Sequence, residues 1–232
     1  MTPIAVADLA AVIYSAGKVF DRLATGRLAT EQFLRSGSTN GIHSRADLEL
    51  LKDLRDGARF ILADRGRPVD HEFVREVNAQ FTRSAALNPG RLRSADANIG
   101  VSTRYGRHLP RALSDEDLQN LVEFSMAHPS PHEQALHLFV NLAKAQPFED
   151  GNKRTALFVA NRVLLAHRTG DLLTIPVSET TPGVADEFND RLARAYVLND
   201  HAPMLELLRS SGFAPLPGSN AASFGPHTAA SG

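Results

Sequence analysis

Apolar residues recur at helical spacing along most of this chain. Leu9, Val12, Ile13, Val19, Phe20 and Leu23 fall on one face of a first helix. Ser44 and Asp47 read as a capping box ahead of a helix carrying Leu48, Leu51, Leu54 and Ile61, and Gly66 and Pro68 break the chain after it. Asp70 is placed to cap a helix with Phe73, Val77 and Phe81. Ser114 and Asp117 repeat the capping signature ahead of Leu118, Leu121 and Val122. Pro129 and Pro131 precede a helix bearing Ala135, Leu138, Phe139 and Leu142. From Thr155 to Arg168 the chain is apolar nearly all round, the pattern of a helix buried at the centre of a bundle, and Gly170 suits its C′ position. Pro182 and Pro203 fit the first turns of the last two helices.

Between Pro89 and Pro110 the period changes. Asn98-Ile99-Gly100-Val101-Ser102 and the Tyr105-Gly106 turn predict a short extended hairpin. The end of the chain, from about residue 213 to 232, is small, Pro/Gly-rich and nearly uncharged, which predicts a disordered tail. No internal repeat interrupts this order. The prediction is a mostly α domain with one small β element.

Composition narrows the chemistry. The 232 residues include no cysteine, which removes disulfides, thiol catalysis and Cys-ligated metals together. Nine histidines, carboxylates and basic groups remain for acid–base or metal work. With 25 basic against 26 acidic side chains, nothing draws the molecule to nucleic acid or to an anionic membrane, so neither is an expected partner. No apolar run is long enough to span a bilayer, and the N-terminal stripe lacks a basic flank, so a cytoplasmic protein is expected.

The segment from Gln146 to Ala156, QPFEDGNKRTA, lies between two strongly apolar helices and reads as a tight interhelical loop. Gly151 and Asn152 accept positive φ, and consecutive N–H groups there can form an anion nest at the next helix N-terminus. Arg154 offers a fork that grips phosphate, Lys153 a point charge, and Asp150 a carboxylate suited to Mg²⁺ shared with a phosphate. Phe148 is the apolar peg that seats the loop. Nest, cation and acid together describe a nucleotide-phosphate site; a plain helix–loop–helix corner with a solvated Arg154 is the alternative.

This string resembles the signature of the Fic (Fido) family, whose pattern reads roughly H-x-F-x-D/E-G/A-N-G/K-R. The resemblance implies an α-helical bundle with a short β-hairpin flap over the motif loop at 146–157. It places a Fic domain at 36–212, an N-terminal helical extension at 1–35 and the tail at 213–232. Pro89-Gly90-Arg91-Leu92-Arg93 resembles the segment ahead of the flap, Ile99 to Pro110 the flap, and Phe188 to Leu208, with Tyr196, the closing helix pair. The implied activity is transfer of AMP (AMPylation) or phosphate from ATP or another nucleotide, with Mg²⁺, to a hydroxyl of a protein or small-molecule substrate. An antitoxin or a second copy of the chain is the kind of partner implied. Asp150 would hold Mg²⁺, Gly151, Asn152 and Lys153 would line the nest, and Arg154 would bind the phosphates, with Arg93 as an accessory group.

The departures are as informative. The family's base is a histidine at the first motif position, where this chain has Gln146, and an amide cannot take a proton from a hydroxyl near neutral pH. A catalytically inactive nucleotide-binding module is therefore the competing expectation. The NKRTAL ending resembles Doc-type toxins, which transfer a phosphate. Thr39 to Ser44 loosely resembles an inhibitory motif with His43 at its glutamate position and Leu157 at the arginine position, which makes His43 the histidine expected nearest the site. The remaining histidines do not read as a metal site: His132 and His137 are five apart, and prolines separate His128 from His132.

Overall fold

A computed structural model describes residues 3–63, 66–84, 88–97, 99–181 and 183–218. Three sequence expectations fall outside them: Asn98 in the hairpin, Pro182 at a helix start, and residues 219–232 of the tail. A short 3₁₀ turn (Val6–Leu9) leads into α1 (Ala10–Asp21), followed by α2 (Arg27–Ser36), α3 (Arg45–Ala63) and α4 (His71–Asn78). A hairpin of β1 (Val101–Thr103) and β2 (Gly106–His108) follows, then α5 (Asp115–Met126), α6 (Pro131–Ala145) and α7 (Asn152–Ala166). The chain closes with β3 (Asp171–Leu173), α8 (Gly183–Val197), α9 (Ala202–Ser211) and β4 (Phe213–Pro215).

The all-round apolar helix sits where its pattern requires. Every residue of α7 from Arg154 to Leu165 is buried, and α1, α3, α4, α6 and β3 pack around it. Asn161, a polar residue in that core, is satisfied by β3: its amide nitrogen donates to the carbonyls of Leu157 and Leu173, and its oxygen accepts from Leu173 N–H. The hairpin forms as predicted, antiparallel with Ser102 opposite Arg107. A second two-stranded sheet pairs β3 with β4, Leu172 opposite Ala214. It corrects two expectations, a single β element and a disordered tail from 213, because Phe213–Pro215 find a ladder partner in β3.

Local details depart in readable ways. Asp70 and the Ser114–Asp117 box cap their helices as predicted. Asp47 does not complete the box with Ser44. Its carboxylate turns instead to the backbone and hydroxyl of Thr25, at 2.7 and 2.6 Å, and fixes the α1–α2 connection onto α3. The left-handed residue that ends α7 is Arg168 (φ 53°), with Gly170 left-handed two residues later. No helix among the described residues is long and apolar enough to cross a membrane.

The α5–α6 turn carries a titratable cluster. The His128 and His137 rings stack 3.5 Å apart, and Glu133, 3.8 Å from His137, is gripped by Arg209 from α9. Burial, then the neighbouring His128, push the pKa of His137 below the ordinary imidazole value, and burial lowers that of His201 as well. The folded protein therefore binds fewer protons than the unfolded chain once pH falls below about 6.5. Stability from this cluster is complete above that pH and declines below it. The thermal midpoint should drop between about pH 7.5 and 5.5, a window above carboxylate titration, and His137→Gln should shrink the drop. An identical drop in the variant would remove the cluster as its cause.

Candidate functional site

The loop between α6 and α7 is built by its own side chains. α6 ends at Gln146, which takes a left-handed conformation (φ 46°, ψ 60°) and returns its N–H to Leu142 O. Phe148 is fully buried, the predicted peg. Asn152 staples it: Phe148 N–H donates to the Asn152 side-chain oxygen, and the Asn152 amide donates back to Phe148 O, both at 2.9 Å. Of the two residues expected at positive φ, only Gly151 is there (φ 72°), and Asn152 is already helical. A Cβ on Gly151 would lie 3.1 Å from Asn78 Nδ2 and 3.2 Å from the Phe81 ring, so conformation and crowding both call for glycine.

This geometry revises the anion nest. Gly151 N–H is taken by Asp150 Oδ1 at 2.5 Å, and the Asn152 side chain is spent on Phe148. The first turn of α7 faces the cleft with N–H groups that no preceding turn can satisfy, which are the groups that suit an anion. Asn78, at the end of α4, locks that turn: its amide donates to Asp150 O and Thr155 Oγ1, both at 3.0 Å, and Thr155 Oγ1 donates to Gly151 O. Thr155 thus spends its hydroxyl within the turn, bonded back to Gly151 O and held by Asn78.

Arg154 lies on the floor, 2% exposed, over the Phe81 ring. Its Nη1 donates to Ser84 Oγ at 2.8 Å, and two carboxylates flank it, Asp21 at 3.6 Å and Asp150 at 3.7 Å. Ser84 is itself held by the fully buried Asp53 of α3. Lys153 sits over the Phe20 ring, 5.1 Å from its centre, and burial lowers its pKa. Burial raises the pKa of Asp21, partly opposed by Arg154.

The flap closes the other side. Tyr105 Oη donates to Asp190 on α8 at 3.0 Å, and Arg104 pairs with the same carboxylate at 2.7 Å. At the flap root, His108 Nε2 donates to Lys144 O at 2.7 Å, and its ring stacks on Tyr196, 4.9 Å between centres. A cleft of about 260 Å³ opens between flap and loop, lined by Phe20 and Asp21, the loop from Glu149 to Arg154, Gln146 and Tyr196. It adjoins a pocket of about 350 Å³ between β1 and α8, and Val101, Lys153 and Tyr196 line both.

The cleft therefore brings together Gln146, Asp150, Gly151, Asn152, Lys153 and Arg154. It does not include His43, which is exposed in the turn ahead of α3 and lines no part of it. Arg93 is not an accessory phosphate ligand either. It is buried, with Nε donating to Gln146 O at 2.8 Å and Nη2 to the carbonyls of Pro110 and Arg111. Its role is to tie the loop to the flap root. Sequence reading missed Phe20, Asp21, Asn78 and Ser84, which reach the loop from distant segments and carry no motif. Among the described residues no cluster of three or more histidines and carboxylates is placed to hold a metal.

Residues 68–164 match the model of the Fic/DOC family. The fold resembles that of a Fic domain containing signaling protein from Bacteroides thetaiotaomicron (TM-score 0.67, 22% identity, 90% of this chain and 87% of that one). It also resembles Fic-1 from C. elegans (TM-score 0.65, 16% identity, 86% of this chain and 58% of that one). A Fic family protein from Desulfovibrio desulfuricans is similar too (TM-score 0.62, 17% identity, 88% and 63%). No curated protein gives a match.

Proposed function

We propose that this chain, which has the fold of Fic domain proteins and matches the Fic/DOC family over residues 68–164, is a nucleotide-dependent transferase that moves AMP or a phosphate from ATP to a protein or small-molecule acceptor. One observation carries the reading. The first turn of α7, with Lys153 and Arg154, lines a cleft that shares Val101, Lys153 and Tyr196 with a second pocket under the flap.

The parts divide the work. The free N–H groups at the start of α7 and the helix dipole bind the phosphates. Arg154, pre-oriented by Ser84 and Phe81, grips phosphate oxygens once they displace Asp21 and Asp150 from its flanks. Lys153 lies at the junction of cleft and pocket, where it neutralises charge on the transferred group. Asp186, Asn189 and Asp190 give the flap pocket polar edges for a base or sugar. Asp150, on the cleft side with its outer oxygen unspent, fits a Mg²⁺ held by one carboxylate and the phosphates, a site that needs no third side chain. Such an ion would neutralise phosphate charge and orient the leaving group.

Gln146 favours the second reading, a nucleotide-binding module without transfer, because its amide supplies no base. ATP titration with and without Mg²⁺, followed by transfer assays from α- and γ-labelled ATP, separates the two. Transferred label supports the enzyme, and binding without transfer supports the module. Arg154→Ala should weaken ATP binding by about 10- to 100-fold, since it removes hydrogen bonds to a charged group. Wild-type protein that binds no ATP would sink both readings.

A further inference from the structure

Gln146 and Tyr196 line the cleft side by side and form one corner of it. Both side chains are more than nine-tenths buried. The Tyr196 hydroxyl borders the Gln146 amide but has no well-formed hydrogen bond to any protein atom among the described residues. An unmade hydrogen bond at a buried hydroxyl costs about 1–3 kcal/mol, so a ligand oxygen that reaches this atom gains from bonding to it. Burial pushes its pKa far above the ordinary phenol value, which keeps the proton on the oxygen at neutral pH. Tyr196 is thus a donor here, not a base.

The other groups at this corner point the same way. The Gln146 amide stays neutral and can donate, and the Lys153 ammonium lines the same wall. Among the described residues no carboxylate is hydrogen-bonded to the Gln146 or Tyr196 side chain. Asp21 and Asp150 flank Arg154, and Glu149 takes the Asn88 amide at 3.2 Å. The nearby imidazole, His108, stacks on Tyr196 with Nε2 committed to Lys144 O. A corner with donors and no free base binds an oxygen that is already negative and cannot activate one that is not.

Resting on the transferase reading, we propose that the acceptor this site takes is an oxyanion, a phosphate monoester or a carboxylate, in place of a neutral hydroxyl. The acceptor oxygen arrives without its proton, held by the Tyr196 hydroxyl and the Gln146 amide. It forms a bond to phosphorus of the bound nucleotide while the opposite P–O bond breaks. The leaving phosphate, pyrophosphate for attack at the α position or ADP for attack at γ, departs with that electron pair. No proton has to leave the attacking oxygen, so the missing base is not missed.

Three peptides identical except for a central serine, phosphoserine or glutamate test this, each incubated with the full chain, Mg²⁺ and α- or γ-labelled ATP. Label should pass to the phosphoserine or the glutamate peptide at a rate at least tenfold above the serine peptide. Acyl phosphate on glutamate is distinguished from phosphoanhydride on phosphoserine by release with hydroxylamine. With the phosphoserine peptide the rate should rise with ionisation of the monoester, around pH 6. Tyr196→Phe should raise KM for the anionic peptide about tenfold while leaving that pH midpoint in place. Label on serine at an equal or greater rate overturns the proposal, as does intact ATP binding with no label on any peptide. Absence of ATP binding overturns the transferase reading beneath it and is scored separately by calorimetry.

Discussion

Gln146→His should raise transfer to a serine or threonine hydroxyl by about 10²- to 10⁴-fold over the wild-type background, the range that a positioned general base contributes. The backbone is ready for the substitution. Position 146 already holds a left-handed conformation with its carbonyl fixed by Arg93, and histidine is among the residues that tolerate that region. Its ring would occupy the space of a buried amide beside Tyr196, whose hydroxyl has no well-formed hydrogen bond among the described residues and can hold one ring nitrogen, leaving the other for the acceptor. The imidazole ordinarily titrates near 6.5, so the gained activity should appear as pH rises through about 6 to 7. Preference should shift with it: the anionic acceptors lose their advantage once a neutral hydroxyl can be deprotonated in place. A variant that folds, binds ATP and still transfers nothing to hydroxyl would show that the defect of this cleft extends beyond position 146.

Asp53→Ala should cost about 3 kcal/mol or more of stability and also degrade the phosphate site. Asp53 is fully buried in α3, and its two oxygens receive the backbone N–H groups of Arg83 and Ser84, the Ser84 hydroxyl and the Arg83 guanidinium, all within 3.2 Å. Removal leaves the Arg83 and Ser84 N–H groups and the Ser84 hydroxyl without their acceptor, whereas the Arg83 guanidinium keeps Asp56 at 2.9 Å. For a chain of this size the thermal midpoint should fall by about 6–12 °C. The same loss frees Ser84, the hydroxyl that orients Arg154, so ATP affinity should fall alongside stability. Ser84→Ala separates the two effects. It should lower stability by only about 1 kcal/mol while still loosening Arg154. Unchanged ATP affinity in Ser84→Ala would show that Phe81 and the carboxylates position the guanidinium unaided.

The same geometry explains why Arg154 is held without being spent. Among the described residues its one short side-chain hydrogen bond is to neutral Ser84, whereas Asp21 and Asp150 stand at 3.6 and 3.7 Å. Carboxylates at that range compensate a buried charge without the full strength of a bidentate pair, and a phosphate that offers better geometry can replace them. Asp21 comes from the end of α1, where Arg22 turns left-handed and stops the helix. The N-terminal segment thereby contributes a wall of the cleft as well as a layer of the core.

Periodicity in the sequence determined the helices apart from α2 (Arg27–Ser36), which it did not announce, and the apolar stretch after the loop determined that α7 lies at the centre. The reason is local: side chains three and four apart share a face wherever a helix forms. The loop from Gln146 to Thr155 was legible for the same reason, because its peg, its glycine and its cations are contiguous and hold one another. The absence of an imidazole at the first motif position was legible too. What the sequence left open depends on contacts between distant segments. Asp21, Asn78 and Ser84 reach the loop from three separate helices or turns. No spacing announces them. The roles of Asn152, Arg93 and His43 were likewise decided by packing. Two of them turned inward to satisfy backbone groups, and His43 stayed on the surface. Only the tertiary structure could show that the Gln146 corner holds a buried tyrosine hydroxyl with no well-formed hydrogen bond among the described residues, since a hydrogen bond left unmade exists only where every neighbour is in place.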